Sequence, residues 1–168
     1  MKSVKGWISE LRFNRMAMRI GLAAPIALVV VLALAQVVPY GRSHTNPPVT
    51  GEPAWDSPQT RELVARACYD CHSNETVWPW YSNLAPVSWL VQRDVMEARH
   101  KLNFSEWDQP QREAKKLPKI VSRGEMPPWL YTIPHTNARL TDTEREQLVQ
   151  GLQATLGSAT AQNPGSGS

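Results

Sequence analysis

Residues 68–72 read Cys-Tyr-Asp-Cys-His and hold the only two cysteines of the 168-residue chain. Two thiols three residues apart, in a helical turn and its exit, can each reach one vinyl group of the same porphyrin. C-x-x-C-H is accordingly the attachment motif of c-type haem. On this reading Cys68 and Cys71 carry the thioethers, and the adjacent His72 sits beneath the iron as its proximal ligand. Rival readings explain less. A structural zinc site usually takes four Cys/His ligands in two clusters, and the chain has no second Cys pair. A thioredoxin-like pair wants a βαβ context, and a disulfide closing so short a loop would add little stability. None of these accounts for His72. The cofactor expected is one covalently attached haem c.

Outward from the motif, hydrophobic spacing predicts an all-α domain over residues 57–156. Ser57 and Pro58 open a helix that runs to the motif. A second helix covers Pro86–Leu102, with Val87, Leu90, Val91, Val95, Ala98 and Leu102 at helical spacing. A weaker third piece, Gln109–Arg123, is expected to be interrupted by Pro118. The last begins at a capping box, Thr141 to Glu144, and stops at Gly157. Four short helices make a poor core for about 100 residues. Trp55, Trp78, Trp80, Trp89, Trp107 and Trp129 would help such a domain wrap a large flat ligand, although aromatic residues equally serve as ordinary core.

The iron's sixth position has three candidate states: Met126, His135, or no protein ligand. Met126 is favoured, because Gly124 lets the chain turn and Pro127 and Pro128 stiffen the loop that presents the thioether. Met96 reads as helix packing, and His100 suits a helix C-terminus. Trp78, Trp80 and Tyr81 follow the motif closely enough to line the haem or bond a propionate. Asn74 is placed to fix the turn after His72, whose second ring nitrogen needs an acceptor, with the carbonyls of Pro79 and Pro86 as candidates. Arg112, Lys115, Lys116, Lys119 and Arg123 form either a solvated face or a dock for an acidic redox partner.

Residues 20–40 carry no charge, and as a helix they would reach about 30 Å, the thickness of a bilayer's hydrocarbon core. Arg12, Arg15 and Arg19 precede this run, so residues 1–19 read as a cytoplasmic basic stub and the remainder as exported. The expected location is a bacterial cytoplasmic membrane, single-pass, with the domain in the periplasm or on the outer face. Ala33-Leu34-Ala35 also fits a signal-peptide cleavage site, so anchor and signal peptide both stand. Residues 41–56, rich in Pro, Gly and Thr, read as an extended linker, and residues 157–168 as a disordered tail. The formal charge of +3 belongs to the N-terminal segment: residues 1–40 hold five Lys/Arg against Glu10, and the rest is close to neutral. A nucleic-acid partner, which needs a basic stripe on a folded domain, is not expected.

The blocks CYDCHSNETVWPWYSNLAPVSWL (68–90), RHKLNFSEW (99–107) and GEMPPWLYTIPHTNARLTDTE (124–144) resemble the haem-binding domain family of small, often membrane-anchored, cytochrome c-like proteins. The resemblance covers about residues 63–152. It implies a cytochrome c-like fold with its terminal helices packed together and one haem between the middle segments. It also implies thioethers at Cys68 and Cys71 and iron ligation by His72 and Met126. The chain departs from the pattern at Asp94, where a His commonly precedes the Val of the second helix.

No paired carboxylates, activated nucleophile or Gly-rich cofactor loop accompanies the motif. The function expected is therefore electron carriage, not catalysis, with redox proteins or a membrane-bound respiratory or photosynthetic complex as partners. A haem-based gas or redox sensor, or a peroxidase-like protein using His135 or Arg139, would require an open sixth position.

Overall fold

The computed structural model describes residues 21 and 23–162. The described chain is all-helical, and its one extended pairing is an isolated parallel bridge between Gly51 and Glu106. Residues 23–35 form α1. The larger elements are α2 (Pro58–His72), α3 (Val87–Lys101), α4 (Leu117–Ser122), α5 (Trp129–Thr132) and α6 (Asp142–Gln162). Short 3-10 turns cover Trp80–Asn83, Ala114–Lys116 and Thr136–Ala138.

Helix α2 starts as its sequence dictates: the Ser57 side chain accepts from the Thr60 amide, and Pro58 occupies the first turn. It buries Thr60, Leu63, Val64 and Ala67, one stripe at i, i+3, i+4 and i+7. That stripe meets Leu148, Gly151, Leu152 and Thr155 of α6, so the first and last helices of the domain pack together. They cross closely enough that a Cβ on Gly151 would lie 2.0 Å from Thr60 Oγ1. Leu117 and Val121 of α4 complete the core from the other side of α6. Phe104 is buried among Trp55, Tyr69 and Trp107, with ring centroids 5.5, 5.9 and 5.8 Å away. Trp55 and Trp107 are therefore core residues and do not wrap a ligand.

Several expectations need correction. Pro118 does not interrupt the third piece; it sits in the first turn of α4, where its missing N–H costs nothing. The capping box forms, with Glu144 N donating to Thr141 Oγ1 and Thr141 N to Glu144 Oε2. Helix α6 nevertheless runs through Gly157 to Gln162. Met96 does not pack; it is exposed on the outer face of α3.

The greatest departure is at 41–56, which is no free linker. Thr50 N and Gly51 N donate to the Ser105 carbonyl, and Trp107 N donates to the Gly51 carbonyl. Upstream, Gln36 brackets Ala85: its Nε2 donates to the Ala85 carbonyl (2.8 Å) and its Oε1 accepts from the Ala85 amide (3.1 Å). Gly41 lies buried against α3 at φ +80°, where a Cβ would fall 2.2 Å from the Ser88 carbonyl oxygen. The segment is a strap laid over the domain.

Of the expected span from Ile20 to Tyr40, the described helix ends at residue 35 and residues 36–40 are turn and irregular chain. Among the described residues no helix is long and apolar enough to cross a membrane. Residues 1–20, Leu22 and 163–168, which include the basic stub and the end of the tail, lie outside the described residues.

Candidate functional site

The site is built around the C-terminal end of α2. His72 is the last helical residue, and its Nδ1 donates to the carbonyl of Leu102, the C-cap of α3, at 3.0 Å. The partner is a carbonyl, so Nδ1 must carry the proton, which leaves the Nε2 lone pair free to bind a metal. The acceptor is thus Leu102 and neither Pro79 nor Pro86. Burial holds the imidazole below its ordinary pKa, opposed by its hydrogen bonds to backbone carbonyls. The Phe104 amide donates to the His72 carbonyl at 2.8 Å, so one loop fixes both backbone and ring.

The turn beyond His72 is locked by polar residues. Asn74, fully buried, donates from Nδ2 to the Pro48 carbonyl and Glu106, and its Oδ1 accepts from Asn103 Nδ2 at 2.9 Å. It fixes this turn as expected. Arg99 reaches across from α3: Nε donates to the Ser73 carbonyl, and the other nitrogens to Thr45, Asn46 and Thr76. One guanidinium therefore ties the turn, the strap and α3 together.

Cys68 and Cys71 are free thiols. Burial pushes Cys68 up to about 12, and burial with the carboxylates of Asp70 and Asp94 pushes Cys71 up to about 11. Both stay protonated at neutral pH, which disfavours thiolate redox chemistry. Among the described residues no group of three His, Cys, Asp or Glu side chains is arranged to hold a metal ion. The zinc reading finds no support in this geometry.

Three elements converge on Cys71: Asp94 from α3, Tyr81 from the 3-10 turn and Tyr131 from α5 all lie within electrostatic reach of its sulfur. Asp94 shares a helix stripe with Val87, Leu90 and Val91, at i, i+3, i+4 and i+7. These converging elements also carry large apolar side chains that the protein leaves uncovered: Trp80 (76% exposed), Leu90 (54%), Trp129 (70%) and Leu130 (64%). Uncovered apolar residues on these elements, two half-buried thiols and an imidazole with a free Nε2 fit a flat apolar macrocycle with a central metal.

The other candidates do not all join this centre. Tyr81 belongs to it, since its hydroxyl and His135 Nε2 share a 2.7 Å hydrogen bond. Trp78 does not: it stacks on His44 of the strap at 4.8 Å and donates to Asn46 Oδ1. Met126 is half-buried in the loop between α4 and α5, entered through Gly124 at φ +70°. His135 stacks on Tyr131, with centroids 4.3 Å apart. Arg139 Nε donates to the Thr132 carbonyl, and His100 is exposed, with Arg112 Nη1 3.5 Å from its Nε2. Lys116 and Arg123 pair with Glu113 and Glu125, which dilutes the basic cluster.

The sequence reading missed Asp70, Arg99, Leu102, Asn103, Ser105 and Tyr131. Asp70 is inside the motif, yet its role is visible only in three dimensions: Oδ1 accepts from the Val77 amide at 3.0 Å and Oδ2 from the Tyr131 hydroxyl at 2.6 Å.

The family model described as a haem-binding domain matches residues 30–154, a stretch that takes in the strap, α2 to α5 and the first part of α6. No curated protein and no solved structure matches the chain. A match over about three quarters of the sequence agrees with the fit of thiols, imidazole and uncovered apolar side chains: the chain belongs to the haem-binding domain family, and its cofactor is haem.

Proposed function

We propose that this protein is a membrane-anchored monohaem c-type cytochrome that carries single electrons between redox partners outside the cytoplasmic membrane. The observation that carries the reading is the geometry at the end of α2: two half-buried thiols three residues apart, followed by an imidazole held by the Leu102 carbonyl with its Nε2 free. Each thiol would add across one vinyl group, the sulfur bonding to one carbon and the thiol proton passing to the other, with no external oxidant or reductant. Haem supplies a one-electron Fe(III)/Fe(II) exchange. The polypeptide's part is to hold His72 and Met126 as ligands, exclude water with the side chains of α3 and α5, and keep the surroundings of Cys71 rigid so that little reorganises when charge changes.

The sensor reading needs an open sixth position, and the peroxidase reading needs a free polar group above it as well. His135 shares its Nε2 with Tyr81, and Arg139 Nε donates to the Thr132 carbonyl, which favours the carrier over the peroxidase. Anchoring is supported by the uncharged run at 20–40 and by α1, whose apolar side chains, Ile26 to Leu34, stand exposed with no protein surface covering them. Redox proteins or a membrane-bound respiratory or photosynthetic complex are the proposed partners.

Visible spectra of the purified protein, oxidised and reduced, with and without carbon monoxide, test this reading. A c-type reduced spectrum, a weak far-red iron–thioether band when oxidised and no response to carbon monoxide are expected. A spectrum that shifts with carbon monoxide and lacks the far-red band would transfer the case to sensing or catalysis.

A further inference from the structure

Tyr131, His135 and Asp70 form a closed contact ring beside the attachment motif, and Tyr81 joins it through His135. Tyr131 donates its hydroxyl to Asp70 Oδ2 at 2.6 Å and stacks its ring on His135 at 4.3 Å, and His135 Nε2 meets the Tyr81 hydroxyl at 2.7 Å. His135 Nδ1 lies 3.9 Å from Asp70 Oδ2, which closes the ring. Asp70 lies between the two motif cysteines, so the ring fastens α5 and the chain after it onto the turn that carries the haem attachments.

The same ring is one of two fixed points for the Met126 loop. Upstream, Gly124 N and Glu125 N donate to the carbonyls of Val121 and Ile120 on α4, which packs into the core against α6. Downstream, the first side chain fastened across to the motif is Tyr131. Met126 thus sits on a short span held at both ends, one by α4 and the other by the ring. Burial and the Asp70 carboxylate both push the Tyr131 phenol's pKa up, so the hydroxyl remains a donor across the physiological range.

We infer that Tyr131, seconded by His135 and Tyr81, is the positioning residue that holds the Met126 loop over the attachment turn and so decides whether the protein fills the sixth position. The inference rests on the proposed ligation by Met126. It makes coordination depend on a contact remote from the iron: with the ring closed the thioether is presented, and with it open the sixth position is left to outside ligands. A hydrogen bond to a carboxylate in a half-buried setting shifts such an open–closed balance by about tenfold or more.

The test compares wild type, Y131F, Y81F and M126A as full-length haem-loaded proteins. The readouts are the far-red band of the oxidised form, carbon monoxide binding by the reduced form, and hydrogen exchange across residues 124–135. M126A should lose the band and bind carbon monoxide. Y131F should weaken the band, raise the carbon monoxide-binding fraction about tenfold and speed exchange in the loop, with attached haem and helical content unchanged. Y81F should move the same way by less, and it decides the matter if Y131F fails to fold. If M126A behaves as stated while Y131F and Y81F both match wild type, the positioning role is overturned and the ligand assignment stands. If wild type lacks the band and M126A changes nothing, the ligand assignment falls and takes the inference with it.

Discussion

Single residues at this site divide by how far their meaning reaches along the chain. Cys68, Cys71 and His72 could be singled out because the whole motif lies in five consecutive positions. The Leu102 carbonyl that orients His72 is 30 residues away, and the Tyr131 hydroxyl on Asp70 is 61 away. No local pattern encodes such pairings, so Leu102 and Tyr131 went unread and Pro79 and Pro86 were wrongly favoured. Trp78 and Trp80 show the same limit, for one is absorbed by His44 and the other left bare. Gly41 gives the sharpest prediction at this scale. Its positive φ and the 2.2 Å approach of the Ser88 carbonyl leave no room for a Cβ. Gly41→Ala should cost roughly 2–4 kcal/mol, from backbone strain together with overpacking, measured by denaturant unfolding. A loss below about 0.5 kcal/mol would show that the strap is not held there.

Among the elements, the longer helices followed their local signals and the short ones did not. Ser57-Pro58 and Thr141-to-Glu144 announced the starts of α2 and α6 because caps act within one turn. The turns at 80–83 and 136–138 and the single turn of α5 have too few residues for any periodicity, and tertiary contacts hold them. Glu144 links the two long helices: it caps α6 and accepts from Arg66 of α2. Its hydrogen bonds from Thr141 and Arg66 lower its pKa from 4.5 to about 2. A depressed folded-state pKa contributes stability that is fully present above the unfolded value of 4.5 and is lost as pH falls towards 2. The melting temperature of wild type should therefore drop across that window more steeply than that of Glu144→Gln. Parallel curves would mean that this carboxylate does not couple the helices. Gly157 misled at this scale, since a glycine permits a helix to end but does not force it.

At the scale of the whole molecule, hydrophobic spacing pointed to an all-α domain, as found, but the composition of the segment before it misled. Proline, glycine and threonine at 41–56 read as linker because such residues resist helix. What they build is an irregular strap whose hydrogen bonds go to α3, to Ser105 and to Trp107. The family match beginning at residue 30 agrees with a domain that starts well before α2. Limited proteolysis of the folded protein should leave residues 41–56 intact, with the bond after Arg42 protected because its guanidinium is engaged by Gln36. Rapid cutting there would restore the linker reading. The proposed function depends on haem being bonded to Cys68 and Cys71, and the most direct test is the mass of the denatured polypeptide purified from cells competent in cytochrome c maturation. The account predicts a mass greater than that of the chain by one haem, reduced to the bare chain in the Cys68→Ala/Cys71→Ala variant. A bare chain in wild type, with haem released on denaturation, would contradict it.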